Sequence, residues 1–304
     1  MGAYSFNRLR KYAVFGIAFF FAFHALAQNT PLARETAQIN KDNAALAAEV
    51  AKLRIEVQSL LLKRATVKFI VDYDDVVGYG TGVVIGSSEI GPGVYANQIL
   101  SAAHVIKDPR KKKAPQGITV VLYDKKGKEA AKIPAKVLYT EKPNDLGLAV
   151  IYTNRELPSM PVAPANFKPR VGDAVIGVGC RMGSPPKIYS DAASCITKID
   201  IPEVSFGNIE ISCDVDHGDS GGPLASKDGT IIGVCHAKIG DRFDDTKVGP
   251  GVYINTAEIN RFLTNAARHI PSVGMEAGRM VNMPMHNAVP VPSRDTNVLL
   301  PIGR

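Results

Sequence analysis

The chain has 304 residues, 45% of them apolar and 21% charged, with a formal net charge of +7. That length allows one large domain with appendages or two small ones, and that composition belongs to a globular chain rather than a disordered one. Three of the positive charges (Arg8, Arg10 and Lys11) lie in the first 27 residues, which contain no acid; the excess left over is too small to argue for a nucleic-acid binder.

Residues 1–27 read as a targeting segment. Arg8-Leu9-Arg10-Lys11 precedes an apolar run from Tyr12 to Ala27, and Ala25-Leu26-Ala27 has the small-x-small form of a signal-peptidase site. The run falls short of the about 20 residues that a comfortable membrane span needs, and His24 interrupts it. The reading is a signal peptide. The alternative is a retained anchor through residues 12–27, a membrane tether with its basic end inside. Either way the rest of the chain is exported, to a periplasm or the extracellular space. An exported chain with four cysteines permits disulfides, and their spacing is not that of a zinc site.

Residues 30–64 carry a heptad. Thr30-Pro31 is a helix start. Leu32, Ile39, Leu46, Leu53 and Leu60 recur every seventh residue, and Thr36, Asn43, Val50 and Val57 fill the other seam position. Leucine at d with valine at a favours a parallel coiled coil, and Asn43 in the seam would set its register. The expectation is a homo-oligomer, dimer or trimer, through residues 30–64; the alternative is one amphipathic helix docked on the domain.

After Arg64 short β-rich runs alternate with Gly, Pro, Asn and Asp, the pattern of an all-β sandwich or barrel. Examples are 66–71, 82–85, 99–102, 118–123, 148–152, 174–178, 209–213, 231–235 and 251–254. A final helix follows, capped by Asn255 and answered by Glu258, with Ile259, Phe262, Leu263 and Ala266 on one face. Residues 271–304 are rich in Pro, Met and polar residues without periodicity, and read as a disordered tail.

The strongest chemical signal is His217-Gly218-Asp219-Ser220-Gly221-Gly222-Pro223-Leu224. A serine hydroxyl is a weak nucleophile that needs an adjacent base. A tetrahedral oxyanion needs backbone N–H donors aimed at one point. Glycines on both sides of Ser220 allow a tight turn that aims the N–H groups of Gly218 and Ser220 as an oxyanion hole. In Leu100-Ser101-Ala102-Ala103-His104-Val105-Ile106 an apolar strand runs into small residues and then a histidine, the candidate base. In Asn144-Asp145-Leu146-Gly147-Leu148-Ala149-Val150 an acid precedes an apolar strand, so its carboxylate can be buried and still orient that histidine. The chain order is His104, Asp145, Ser220, one of the known orders of a triad. By contrast, His217, His236, His269 and His286 read as structural histidines, and Asp72, Asp74, Asp75 and Asp173 as turn or surface acids.

These blocks resemble the trypsin-like, chymotrypsin-fold serine peptidases, and most closely their HtrA-type members, over about residues 65–270. Gly80-Thr81-Gly82-Val83-Val84 and Pro250-Gly251-Val252-Tyr253 extend the match. The resemblance implies two six-stranded antiparallel β-barrels with the site in their cleft, preceded by the coiled-coil helix and closed by the short C-terminal helix. It implies a serine endopeptidase acting through an acyl-enzyme on protein or peptide substrates, with no cofactor and no metal. Asp214, six residues before Ser220, matches the acid that selects basic residues in trypsin, and Gly251 is the second substrate-binding candidate. The run Asp214-Val215-Asp216-His217 has the residue types of a metal loop, but its place beside the nucleophile argues against that role.

Departures from the pattern matter. HtrA proteins usually carry a PDZ domain after the protease, and about 34 residues do not suffice for one. Asp219 stands where HtrA-type chains have Asn. In trypsin that acid pairs with a new N-terminus, and here a cut after Arg64, freeing Ala65, is one route to such a group. Cys213 and Cys235 flank the presumed pocket walls and Cys180 and Cys195 lie on neighbouring strands, which suggests those two disulfides. Lys107 and Arg110 to Lys113, with Lys125, Lys126 and Lys128 nearby in sequence, read as a solvated loop, with an acidic partner as the alternative. A peptide-binding pseudoprotease or chaperone, or a self-processing assembly protein, are the rival functions.

Overall fold

The computed structural model describes residues 31–73, 76–107, 114–190, 193–202, 204, 206–239 and 249–270. The expected signal segment (1–27), the tail (271–304) and most of the basic stretch (108–113) lie outside the described residues. Among the described residues no helix is long and apolar enough to cross a membrane.

The chain divides into two units, the first ending at Arg54 and the second beginning at Ile55. Helix α1 (Pro31–Ala65) contributes to both. In the first unit the heptad residues are exposed, Leu32 by 73% and Leu46 by 60%. In the second unit the helix end enters the core: Leu62 and Ala65 are fully buried among Val83, Leu100, Val234 and Phe262.

Among the described residues fourteen strands follow in two sheets. The first contains β1 (Thr66–Asp72), β2 (Val77–Gly91), β3 (Val94–Ala102), β4 (Gly117–Tyr123), β5 (Glu129–Pro134), β6 (Lys136–Glu141) and β7 (Leu146–Thr153), in the order β5-β4-β1-β2-β3-β7-β6. The seven strands are six in effect. Only Ala135 separates β5 from β6, so one bent run pairs with β4 at its first half and with β7 at its second. That run closes the sheet on itself and leaves no edge.

The second sheet contains β8 (Val175–Gly179), β9 (Lys187–Ile188), β10 (Ile196–Ile199), β11 (Asn208–Val215), β12 (Pro223–Ser226), β13 (Ile231–Lys238) and β14 (Gly249–Asn255), ordered β10-β11-β14-β13-β12-β8-β9. A bridge between Ala174 and Cys195 and the bond from Val175 N–H to Ser194 O join the ends of β8 and β10. Six strands again close, and the two-residue β9 is an addition. Each barrel has its own apolar interior, Phe69, Ile99, Val120 and Ile151 in the first, Ile196, Ile209, Leu224 and Tyr253 in the second. Helix α3 (Thr256–His269) is capped by Asn255, whose side chain accepts from the Glu258 N–H. It buries Ile259, Phe262 and Ala266, each large side chain contributing about 1.5–3 kcal/mol by leaving water.

Candidate active site

Strand register places the base beside the acid. In the β3–β7 ladder Ala102 lies opposite Leu146, so the residues just past β3 meet those just before β7. There the chain makes one turn of helix, α2 (Ala103–Ile106), which carries His104. Asp145 adopts a left-handed backbone, φ 52°, a conformation that Asp tolerates better than most residues. Its carbonyl accepts from Ala103 N–H at 2.8 Å. Its Oδ1 accepts from the His104 backbone N–H at 2.9 Å, and its Oδ2 meets His104 Nδ1 at 2.6 Å. Burial alone would raise this carboxyl, but hydrogen bonds from His104 and His236 outweigh it and hold Asp145 well below the usual carboxylate range.

The nucleophile candidate sits on the other barrel, on a turn docked against the first. Ser220 O accepts from Thr81 N–H at 2.8 Å. Thr81 Oγ1 donates to Gly218 O at 2.6 Å and accepts from Cys180 N–H at 2.8 Å, while Ser101 Oγ donates to Thr81 O at 2.7 Å. Gly218 and Gly221 have φ of 90° and 81°. A Cβ on Gly218 would lie 2.6 Å from Cys180 O, and one on Gly221 2.2 Å from Ser101 Oγ and from Thr81 O. No side chain fits either place. Gly221 therefore seats the serine turn directly on the strand that delivers His104.

Within this turn the N–H groups of Asp219, Gly221 and Gly222 bond to Asp216 O, Cys235 O and Asp219 O, and that of His217 to Asp216 Oδ1. Among the described residues, Gly218 and Ser220 supply the two N–H groups of the turn that have no acceptor. Ser220 is half-buried, and among the described residues its hydroxyl has no hydrogen-bond partner. Catalytic hydrogen bonds are often long without substrate.

Asp219 is fully buried. Its Oδ2 accepts from Arg181 Nε at 3.0 Å and from Asp216 N–H at 3.0 Å, while Oδ1 is buried without a partner. Burial pushes this carboxyl up, against the pull of the Arg181 charge. Arg181 also donates through Nη2 to Asp214 O at 2.7 Å. The acid expected to seek a new N-terminus is thus paired inside the intact chain. Ala65, the residue that a cut after Arg64 would free, is buried at the end of α1. In the intact chain the cation beside Asp219 is thus Arg181 and not a new N-terminus.

Two other expectations change, those for His236 and for the cysteines. His236, read as a structural histidine, reaches the site: its Nδ1 lies 2.7 Å from Asp145 Oδ2, the oxygen that also holds His104. It follows Cys235, whose backbone pairs with Gly221 and Gly222, and alternation along β13 was the available signal. Asp214 is exposed on β11. Gly251 is buried, and a Cβ there would lie 2.7 Å from both Tyr253 and Val215; packing accounts for it. All four cysteines are thiols. Cys180 sits in the core with its sulfur 3.7 Å from Val67 O, and burial pushes its thiol up to about 12. Thr81, Arg181 and His236 are the site residues that sequence reasoning did not single out.

The chain is 29% identical over 168 residues to a Do-like protease of Arabidopsis thaliana, covering 52% of this chain and 37% of that protein. It is 27% identical over 158 residues to the periplasmic pH-dependent serine endoprotease DegQ of Escherichia coli, covering 52% and 30%. It thus spans about a third of the length of the curated relatives it matches. A solved serine endoprotease from Yersinia pestis superposes with a TM-score of 0.52 at 21% identity, covering 69% of this chain and 66% of that one, a likeness of fold. A family model for the trypsin-like peptidase domain matches residues 80–234, and the chain belongs to that family.

Proposed function

We propose that the protein is a serine endopeptidase. Ser220 attacks the scissile carbonyl, His104 takes its proton and returns it to the leaving amine, and Asp145 holds the imidazole. The N–H groups of Gly218 and Ser220 receive the oxyanion, and the acyl-enzyme is then hydrolysed. The observation that carries this reading is the double grip of Asp145 on His104, at ring and main chain, next to the docked serine turn. The test is fluorophosphonate labelling of the full chain beside Ser220→Ala. Labelling of the wild type alone is expected; a folded, unlabelled wild type would favour the peptide-holding pseudoprotease.

A preference for Lys or Arg at the cleaved position would rest on Asp214, and substrate profiling of Asp214→Ser against wild type checks it. Residues 30–64 self-associate in this reading, because their apolar seam is exposed in heptad register; sedimentation of Leu46→Glu beside wild type tests this. Export accords with the sequence of residues 1–27, and with the periplasmic setting of the DegQ relative.

A further inference from the structure

The proposed reaction leaves His236 without a task. Proton transfer from Ser220 needs one imidazole held by one carboxylate, yet Asp145 Oδ2 holds two, His104 Nδ1 at 2.6 Å and His236 Nδ1 at 2.7 Å. The ligand atoms of the three residues lie within 4.8 Å of one another. Three separate elements deliver them: α2, the turn before β7, and β13. All three side chains reach solvent, His104 by 26%, Asp145 by 15% and His236 by 29%. The Phe206 ring meets His236 edge-on at 4.9 Å and fixes its plane.

We propose that His104, Asp145 and His236 bind a divalent transition metal of the Zn²⁺ type, and that the bound ion silences the peptidase. The silencing rests on the reading of His104 as the base; the binding does not. Two imidazoles and one carboxylate select Zn²⁺, Cu²⁺ or Ni²⁺ over Ca²⁺ and Mg²⁺. Three protein ligands leave the fourth tetrahedral position to water. Zinc bonds of about 2.0–2.2 Å set the donors roughly 3.3 Å apart, so each present contact opens by roughly 0.6 Å. On binding, each neutral ring carries its proton on Nε2 instead of Nδ1, so the Nδ1 lone pair goes to the metal and no net proton is lost. His104 then loses its bond to Asp145, and its Nε2, now bearing the ring proton, has no lone pair to take the Ser220 proton.

The experiment uses the full chain, stripped with a chelator, with His236→Ala and His236→Gln. Gln keeps a hydrogen bond to Asp145 but does not replace imidazole as a ligand. Co²⁺ binding is followed by visible absorption, Zn²⁺ by competition, and folding by circular dichroism. The expected result is one ion per wild-type chain, with binding weakened at least about tenfold in both variants. Zn²⁺ should also abolish wild-type fluorophosphonate labelling, and chelator restore it, each protein being compared with its own metal-free labelling. Equal binding by wild type and a folded variant, or no binding by wild type, overturns the site. Binding that depends on His236 in a chain that never labels supports the site and overturns the peptidase reading instead. Binding that leaves wild-type labelling intact overturns the silencing.

Discussion

The two barrels hold their halves of the candidate site by different means. In the first, the acid and base lie one step beyond paired strands, and Asp145 binds His104 at both backbone and ring. In the second, the Ser220 turn has left-handed glycines, a threonine reaching over from β2 and an ion pair between half-exposed Arg181 and buried Asp219. The first half is a consequence of strand register. The second is a loop conformation that its neighbours must hold, so substitutions around it should act at a distance from the serine.

The largest expected effect sharpens the first half. Asp145→Asn keeps the shape but misplaces the proton on His104, and kcat should fall about 10⁴-fold with the fold intact; steady-state kinetics beside a thermal melt would show this. Arg181→Ala tests the second half. It touches neither His104 nor Ser220, yet freeing Asp219 should let the turn relax and cost about 10²–10³-fold in kcat, the scale of a lost oxyanion donor. An unchanged kcat would make the ion pair merely structural and break the contrast.

Much of the first half was legible in the sequence, and less of the second. His104 and Asp145 could be found because each borders an apolar strand whose alternation is clear. β5 and β6 were not among the strands named, because EAAKIP and KVLYTE are short mixed runs whose role is to close a barrel, which no local pattern announces. Thr81 lay inside a recognised block but looked like a strand residue; its hydroxyl matters only once two barrels face each other. Arg181 is 38 residues from Asp219, and nothing local marks it as that acid's partner. His236 was passed over because a lone histidine on a strand is usually satisfied by packing.

Smaller effects probe the docking itself. Thr81→Val keeps the branched shape and removes the hydroxyl shared by Gly218 O and Cys180 N–H, and leaving those groups buried without it should cost about 2 kcal/mol, read by chemical denaturation. The least effect is a slope. Because burial raises the Asp219 carboxyl, the folded chain holds that proton more tightly than the unfolded chain. Its stabilising share is complete below the ordinary carboxylate range and is lost as pH rises through the raised value. Melting temperature against pH should therefore lose one downward step in Asp219→Asn.

The pairing of Arg181 with Asp219 also bears on timing. Partners on one chain meet at an effective concentration fixed by the intervening fold, so this ion pair completes when the second barrel closes and waits for no external event. Asp219 therefore has a cation beside it before any cut, and a new N-terminus is not required to supply one.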